Sequence, residues 1–511
     1  MSPRYLLGID LGTTAVKALL VSAGGVVVSR ATGTYPLETP RALWAEQDPA
    51  LWWERTAAAV REVIQDAGVE PRSIAAVGLT GQMHGLVLLG AGREVLRPAI
   101  LWNDQRTSVE CERIRALVGA VRLRELTGND VLPGFTAPKL LWVARNEPEF
   151  FGRVQSVLLP KDFIRERLTG ALATDVSDAS GTSLFDVRRR SWSAPVLEAL
   201  SVPGRWLPPV FESSDVTGHV NEEAARLTGL RPGTPVVAGA GDQAAQAAGS
   251  GILEDGQVSI TIGTSGVVFA PSSVYRTDPA GRLHAFCHAV RGSWHLMGVM
   301  LAAGGSLRWF RDVLWTAEAA TALQGGRDPY DALMEEAATV PAGSDGLVFL
   351  PYLCGERTPH ADPLARGVFY GLTLRHTRAH MARAVIEGVS FALRDSLDLI
   401  LALGIRPCGV RVSGGGARSW LWRQVLADVC EQPVTALDVP DAAALGAAIL
   451  AGVGTGLLPS AGAAVRSFVR EAATVAPGPD VPRYRAAREV YRSLYPALQP
   501  LMHSPGGTPA P

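Results

Sequence analysis

A short turn of glycine and hydroxyl residues occurs twice in this chain, almost half its length apart. Gly12-Thr-Thr14 stands near the start, and Gly263-Thr-Ser265 follows it 251 residues later in a chain of 511. Each copy joins two strand-like runs, so the pattern predicts that one fold unit has been duplicated. A chain of this length is too long for one core, and we expect two similar domains with a ligand cleft between them.

Strand-like and helix-like runs alternate along the chain, which predicts the α/β class. The first three strands are joined by turns too short for parallel crossovers, so we expect a β-meander there. The predicted strands are Tyr5–Asp10, Ala15–Ser22, Gly25–Ala31 and Ala75–Thr80, and the predicted helices include Leu51–Ala67 and Pro138–Asn146.

The repeat also places the domain boundary. We expect an N-terminal domain over residues 1–248, a C-terminal domain over 249–490, and a helix end with a disordered Pro/Gly-rich tail over 491–511. In the second domain a helix should run from Arg378 to Gly404 with Thr377 as its N-cap. A strand and the glycine loop Ser413–Arg418 follow, and such a loop before a helix can hold an anion.

Composition and charge narrow the function. Hydrophobic residues make up 47% and charged residues 19%, as in a folded globular protein, and a net charge of −1 argues against nucleic-acid or membrane partners. The five cysteines are scattered, which fits reduced thiols and neither a disulfide framework nor a zinc site. We find no signal peptide and no membrane-length apolar run, so a cytoplasmic location is expected.

A single acid, Asp242, stands in a turn of small residues at the predicted domain junction. Gly239-x-Gly241-x-x-Ala244 fits a relaxed dinucleotide fingerprint. That motif, however, belongs at the start of a βαβ unit with its acid about 20 residues later, and an acid inside the turn would repel a pyrophosphate. We therefore interpret Asp242 as a reactive carboxylate at the cleft.

The turn after Asp10 suits a phosphate. Asp10-Leu-Gly-Thr-Thr14 offers backbone amides and the hydroxyls of Thr13 and Thr14, and the carboxylate could hold a neutralising cation. The second copy of the turn, at Gly263 and Thr264, could grip a polyphosphate from the other side. The sequence contains no Walker A motif, so a nucleotide would be bound without a P-loop.

Two further segments, both predicted at strand ends, suit a polyol. Met83 and His84 lie in the first, and Trp102-Asn103-Asp104 lies in the second. The indole face can stack on C–H surface while amide, acid and imidazole groups pair with hydroxyls.

Together these residues resemble the FGGY family of carbohydrate kinases over roughly Tyr5 to Leu501. Two long signature stretches carry much of the resemblance, Gly134–Asn146 and the segment from Gly367 to Glu387. The shorter motifs are Gly8–Thr14, Leu43–Asp48, Gly81–Gly85, Ile100–Asp104, Leu158–Asp162, Gly239–Asp242 and Ser413–Ala417. Met83-His84 and Trp102–Asp104 most resemble members that act on D-xylulose.

The resemblance implies two ribonuclease-H-like domains of the actin/hexokinase type flanking a central cleft. It implies ATP-dependent phosphorylation of D-xylulose with Mg²⁺, with the sugar on the first domain and ATP mainly on the second. Family members are often homodimers, so a homodimer is also expected.

The resemblance assigns roles to individual positions. Asp242 maps onto the catalytic base, and Asp10 and Asp242 together map onto the carboxylates that hold the metal ion. Met83, His84, Trp102, Asn103, Asp104 and Asp242 map onto sugar contacts. Thr13, Thr14, Gly263, Thr264, Gly305, Gly415, Gly416 and Ser419 map onto nucleotide contacts. Gln243 stands where members more often have asparagine, which leaves a sugar contact there open.

Other functions stay open at this point. A kinase for ribulose, an arabitol or glycerol is one alternative, although a glycerol kinase would be expected to carry Arg-Glu in place of Met83-His84. A non-kinase ATP switch of the actin type is another. Lys139 and Lys161 could touch a ligand or brace the sugar domain, and Lys17 could assist at the phosphate turn or lie on the surface.

Overall fold

A computed structural model describes residues 4–437, 439 and 441–504, and the predicted tail beyond Ser504 lies outside the described residues. Two seven-stranded mixed sheets form the framework. Strands β1 to β7 of the first sheet are Tyr5–Leu11, Ala15–Ser22, Val27–Thr34, Ile74–Gly81, Val216–His219, Pro235–Val237 and Ala240–Gly241. Strands β8 to β14 of the second are Gln257–Ile262, Gly266–Ser272, His284–Cys287, Trp294–Met300, Gly409–Ser413, Val434–Leu437 and Glu471–Val475.

Helices cover the sheets and connect their strands. Helices α1 to α10 are Pro49–Ala67, Ser108–Val118, Ala120–Thr127, Thr136–Asn146, Pro148–Phe151, Pro160–Thr169, Val176–Ala179, Ala194–Ala199, Glu222–Thr228 and Asp242–Gly249. Helices α11 to α18 are Gly304–Leu314, Thr316–Gln324, Pro329–Ala338, Arg378–Ala402, Trp420–Cys430, Ala442–Gly454, Ala461–Phe468 and Val481–Met502. Short pairs of strands join 46–47 to 99–100, 87–89 to 156–158, 174–175 to 210–211, 185–186 to 191–192, and 348–350 to 368–370.

The two sheets repeat one topology. The first runs β5-β6-β4-β1-β2-β3, with β7 also paired to β4, and the second runs β10-β11-β9-β8-β12-β13-β14. In each sheet the leading strand is antiparallel to its hairpin partner and parallel to the next strand on its other side. Moved along by 251 residues, β1 and β2 fall on β8 and β9 to within one residue at either end. The predicted α/β fold of two ribonuclease-H-like domains is therefore confirmed.

Local signals set most element boundaries correctly. The first three strands form the predicted antiparallel meander. Helix α14 begins after the predicted N-cap Thr377, and Gly404, with φ of 89°, lies just beyond its end. A left-handed residue at that point stops a helix, and glycine adopts it without a Cβ clash.

Helix α16 belongs to the second half of the chain but packs on the first sheet. A Cβ at Gly8 in β1 would lie 1.9 Å from the Ala444 carbonyl oxygen, and one at Gly446 would lie 1.9 Å from that of Ala245 in α10. Helices α10 and α16 therefore touch through their backbones, and one apolar cluster contains residues of both halves. This helix pair joins the two sheets at the floor of the cleft.

The last helix completes the second core. In α18, which crosses the predicted limit at residue 490, the side chains of Tyr484, Tyr491, Leu494 and Tyr495 pack into the second apolar core. Among the described helices none is long and apolar enough to cross a membrane. All five cysteines are free thiols.

Candidate active site

Asp10 and Asp242 come together because three parallel strands end at the same edge of the first sheet. Asp10 in β1 is level with Thr80 in β4, and Thr80 is level with Ala240 in β7. Asp242 follows β7 at once and opens helix α10. Carboxyl ends of neighbouring parallel strands are where α/β proteins place their ligands.

The turn before Asp242 needs its glycines for packing. Gly239 has φ of 70°, and a Cβ there would lie 1.9 Å from the carbonyl oxygen of Leu79. A Cβ at Gly241 would lie 2.8 Å from the sulfur of Met83. The Gly-x-Gly pattern at this turn therefore serves close packing between strand ends.

A buried ionic network holds this turn from behind. The Ser177 hydroxyl accepts a hydrogen bond from the N–H of Gly241 at 3.0 Å and donates one to Asp175 at 2.5 Å. Lys161, with a fully buried side chain, pairs with Asp175 at 2.9 Å. Arg165 donates to the carbonyl of Ala238. Lys161 thus braces the strand that carries Asp242 and lies beneath the site.

Burial perturbs both carboxyl groups. Burial, reinforced by the charge of Asp10, raises the pKa of Asp242 to about 7. Burial raises the pKa of Asp10 to about 6, a shift that Lys17 opposes and Asp441 reinforces. Lys17 itself pairs with Asp441 at 2.8 Å across the junction of the two halves. A carboxyl group with a pKa near neutrality is suited to accept a proton from a substrate.

The carboxylate pair fits a magnesium ion that arrives with a nucleotide. Across residues 4–437, 439 and 441–504 there is no cluster of three or more His, Cys, Asp or Glu side chains that could hold a metal alone. Mg²⁺ in phosphotransferases takes one or two carboxylates and completes its shell with water and substrate phosphates. Asp10 and Asp242, two partly exposed acids of which Asp10 raises the pKa of Asp242, supply such a donor set.

The predicted phosphate turn is tied to the body of the first domain by its carbonyl groups. The Tyr35 hydroxyl donates to the Gly12 carbonyl at 2.6 Å, and the Gln47 amide donates to the Thr13 carbonyl at 2.7 Å. The Thr14 carbonyl accepts from the Tyr35 N–H at 3.1 Å. With the carbonyls held, the N–H and hydroxyl groups of Thr13 and Thr14 remain as donors for a phosphate.

His84 is held through its backbone and Nδ1, and no described residue bonds its Nε2. Its backbone has φ of 68°, and Lys139 donates to its carbonyl at 2.9 Å. The ring stacks on Phe135 with centroids 4.5 Å apart, and Nδ1 lies 2.7 Å from the carbonyl of Gly181. Burial lowers the pKa of His84 to about 3, so the ring is neutral and Nδ1 must donate. Nε2 is then an acceptor that a sugar hydroxyl can use.

Lys139 therefore supports His84. Met83, the residue before His84, is only 4% exposed, and its side chain packs against Gly241. The buried Lys139 ammonium also donates to the carbonyl of Gly134 at 2.6 Å. The sequence left open whether Lys139 and Lys161 contact a ligand or brace the domain. Both amino groups bond to residues of the first domain, which favours bracing.

Trp102, Asn103 and Asp104 differ in what they offer. Trp102 is 40% exposed, and its indole N–H donates to the Thr13 hydroxyl at 2.9 Å, which links the polyol segment to the phosphate turn. The side-chain oxygen of Asn103 has no hydrogen-bond partner among the described residues. Asp104 is fully buried, and its carboxylate accepts bonds from Arg106 at 2.6 Å and from the Ala45 N–H at 2.7 Å.

The predicted nucleotide loops lie together at one edge of the second sheet. Thr261, just before Gly263, is level with Ser413, and their hydroxyls are 3.1 Å apart. A Cβ at Gly416 would meet the side chain of Ile262 at 2.6 Å, whereas Gly415 is open to solvent. The loops that begin at Gly263 and Ser413 therefore lie side by side at this edge of the sheet.

Gly305, Ser419 and Gln243 each contact other residues of the protein near these loops. The N–H of Gly305 donates to the Thr264 carbonyl at 3.0 Å, so Gly305 braces that loop. Ser419 caps helix α15 by accepting from the N–H of Trp422 at 3.2 Å. Gln243 lines a small cavity with Thr261 and other residues between α10 and the second sheet.

Sequence reasoning missed Ser177, Tyr35 and Gln47 as supports of the two turns. Ser177 lies 64 residues from the glycine it holds, and Gln47 lies 34 residues from Thr13. The motifs that contain Gln47 and Lys161 were recognised by resemblance, but their partners are set by tertiary packing and have no local sequence signal.

The fold and the cleft define a class. Two duplicated α/β domains, each with a hydroxyl turn between its first two strands, and a carboxyl group of raised pKa are features of phosphotransferases with the actin/hexokinase fold. Comparison with known proteins supplies the family. The N-terminal domain of the FGGY family of carbohydrate kinases matches residues 5–249, and the C-terminal domain of that family matches residues 258–455. The chain belongs to the FGGY family, and is a kinase whose substrates are a sugar and ATP.

Full-length relatives agree with this assignment. The xylulose kinase of Escherichia coli K12 is 43% identical over 502 residues, which cover 97% of this chain and 99% of that protein. The crystal structure of xylulose kinase from Rhodospirillum rubrum has a TM-score of 0.90 at 34% identity, covering 98% of this chain and all of that one. The structure of gluconate kinase from Lactobacillus acidophilus has a TM-score of 0.91 at 29% identity, covering 99% of each chain.

Proposed function

We propose that this kinase transfers the γ-phosphoryl group of ATP to the terminal hydroxyl of D-xylulose and releases D-xylulose 5-phosphate and ADP. The observation that carries the choice of sugar is the full-length similarity to the xylulose kinases of E. coli and R. rubrum. The neutral ring of His84 supports it, since Nε2 is an uncharged acceptor that suits a sugar hydroxyl.

In the proposed reaction Asp242 accepts the proton of the C5 hydroxyl. The hydroxyl oxygen then bonds to the γ-phosphorus, and the bond to the β–γ bridging oxygen breaks, with its electron pair leaving on ADP. Phosphoryl transfer depends chiefly on positioning and on neutralising charge. The hydroxyls and amides of Thr13, Thr14, Gly263 and Thr264 supply neutral donors on both sides of the phosphates.

Mg²⁺, when bound with the nucleotide, would neutralise phosphate charge, and Asp10 and Asp242 are the residues that would hold it. We assign the sugar to the domain of residues 1–248, through Met83, His84, Trp102 and Asn103. We assign ATP mainly to the domain of residues 249–490. Asp104, Gly305 and Ser419 are given supporting roles, because their polar groups are already bonded within the fold.

The proposal is tested by ADP release with Mg-ATP across D-xylulose, D-ribulose, L-ribulose, D-arabitol, xylitol, glycerol and D-gluconate. We expect D-xylulose to give a kcat/KM at least about tenfold above every other compound. D-gluconate belongs in the panel because a gluconate kinase shares the fold over nearly the whole chain. A higher kcat/KM on any other compound would replace the proposed sugar, and turnover indifferent to all of them would favour an ATP switch.

The pH profile tests the base. Because Asp242 must be ionised to accept a proton and its pKa is raised to about 7, kcat/KM for the sugar should fall as pH falls through neutrality. The loss should approach about tenfold per pH unit on the acid side. A divalent cation beside the carboxylates favours their ionised forms, so raising Mg²⁺ should move the midpoint to lower pH. A profile flat from pH 6 to 8.5 would contradict the assignment.

A further inference from the structure

The second half of the chain supplies a wall of side chains beside His84. One apolar cluster joins Met83 and Phe135 to Phe286 and Met297 of strands β10 and β11. The Asn129 side chain exchanges two hydrogen bonds with the backbone of Ala285 in β10, at 2.9 and 3.0 Å. This wall is therefore fixed to the first domain, and its side chains face the same space as His84.

His284 lies in this wall with a free imidazole. Its ring stacks on Phe286 with centroids 5.4 Å apart and lies 5.7 Å from the ring of Phe135. The same Phe135 ring stacks on His84. The side chain is only 7% exposed, and neither ring nitrogen is hydrogen-bonded to any residue that the structure describes. Both ring nitrogens of His284 can therefore bond a ligand that enters beside this wall.

Arg357 lies beside this wall, on a loop that is hydrogen-bonded to β11 and to the residue after it. The N–H of Thr358 donates to the Val299 carbonyl at 2.9 Å, and the side chain of Glu356 accepts from the N–H of Leu301 at 3.1 Å. Val299 packs against the cluster that contains Met83 and Phe135. The loop therefore holds Arg357 beside the wall that contains His284.

The guanidinium of Arg357 is half-buried and makes no hydrogen bond or ion pair with any residue in the described part of the chain. Besides burial, its positive charge contributes to lowering the pKa of both His84 and His284. Burial also lowers the pKa of Arg357 itself. A partly desolvated cation with five donors and no protein acceptor is a binding site for an acceptor oxygen.

We propose that Arg357 and His284 form a subsite, on the second half of the chain, that binds the carbonyl end of the ketose while Asp242 acts on its other end. A guanidinium only donates hydrogen bonds, and the C2 carbonyl oxygen of an open-chain ketose only accepts them. The corresponding pentitol carries a hydroxyl there. Its oxygen can accept from the guanidinium, but its proton finds no acceptor on that group. The subsite thus selects a ketose over a pentitol, and the inference rests on the proposed function for its choice of sugar.

The test compares dissociation constants, measured by calorimetry, for D-xylulose, D-arabitol, xylitol and D-gluconate. The variants are Arg357→Met, Arg357→Lys and His284→Phe. Arg375→Met is the control, because that arginine lies on the same half of the chain with 82% of its side chain exposed. ADP affinity and thermal unfolding verify that each variant retains its fold.

We expect the wild type to bind D-xylulose at least about tenfold more tightly than either pentitol. Arg357→Met should weaken D-xylulose about 10- to 100-fold and the pentitols less than about threefold. A pentitol hydroxyl can accept from the guanidinium, but its own proton finds no acceptor there, and this offsets much of the bond in the wild type. Arg357→Lys should restore part of the preference, His284→Phe should weaken D-xylulose about tenfold or less, and Arg375→Met should match the wild type.

The proposal is overturned if the ratio of ketose to pentitol affinity stays constant in Arg357→Met, whether both affinities hold or both fall together. If Arg357→Met fails to bind ADP, Arg357→Lys decides the question by the same ratio. Tighter wild-type binding of D-gluconate would mean that the subsite serves a carboxylate. If the wild type turns over D-ribulose and not D-xylulose, the proposed sugar is wrong, and the subsite is judged by D-ribulose against ribitol.

Discussion

Replacing Asp242 with asparagine should lower kcat at least about 1,000-fold while sugar affinity changes less than about threefold. The amide keeps the shape of the side chain at the start of α10 but cannot accept the proton of the attacking hydroxyl, and a positioned base contributes about 100- to 10,000-fold. Asp242 is also one of the two carboxylates proposed to hold Mg²⁺, so its loss should lower kcat further. Steady-state ADP release gives kcat, and calorimetry with sugar alone gives the affinity.

Asp66→Asn is the matched control, because Asp66 is an exposed carboxylate on α1. It should retain wild-type kcat. An Asp242→Asn enzyme with more than about a tenth of wild-type kcat would remove Asp242 from the role of base, and parallel loss of kcat and sugar affinity would make it a binding residue.

The same substitution should stabilise the protein at alkaline pH. The folded-state pKa of Asp242 is raised from 3.8 to about 7, so the folded state holds its proton more tightly than the unfolded state. Stability is therefore lost as pH rises between these values, and the full penalty, on the order of a few kcal/mol, is present above pH 7. Without nucleotide or Mg²⁺, Asp242→Asn should melt above the wild type at pH 8, and the difference should vanish near pH 4.

Local chemistry explains why much of the fold could be predicted. The strands β1 and β2, their turn, and the copies β8 and β9 follow from alternation and from glycine-hydroxyl turns, which act over a few residues. The turn at Gly239 was recognised for the same reason. The junction near residue 249 followed from the repeat, and it stays a prediction together with the roles of the site residues.

The supports of the site could not be predicted, because their partners are distant in sequence. Lys17 pairs with Asp441 across 424 residues, and Asn129 bonds Ala285 across 156. Helix α16 presents small apolar residues on every side, so its sequence does not indicate which sheet it covers. Asp104 differs, since its partner Arg106 stands two residues away and the pairing could have been considered from the sequence.

The contact between α10 and α16 gives the second large prediction. Gly446→Ala should cost about 3 kcal/mol or more of the free energy of unfolding, because the new methyl group would lie 1.9 Å from the Ala245 carbonyl oxygen and 2.9 Å from the N–H nitrogen of Gly249. Neither atom can move without displacing a helix backbone, so the overpacking exceeds what side chains absorb. Urea denaturation followed by circular dichroism measures the loss.

Activity should fall with stability, since α16 also packs on β1, where Asp10 lies, and α10 begins with Asp242. Forcing the two helices apart changes the separation of the carboxylates, and we expect kcat/KM to drop about tenfold even where the variant is folded. Gly462→Ala in the nearby helix α17 is the control: its methyl group would meet only the Arg466 side chain, at 3.8 Å. There the lower backbone entropy of alanine should add about 0.5–1 kcal/mol. Equal stability of the two variants would show that α10 and α16 can separate freely. That result would contradict a rigid contact between the two helices.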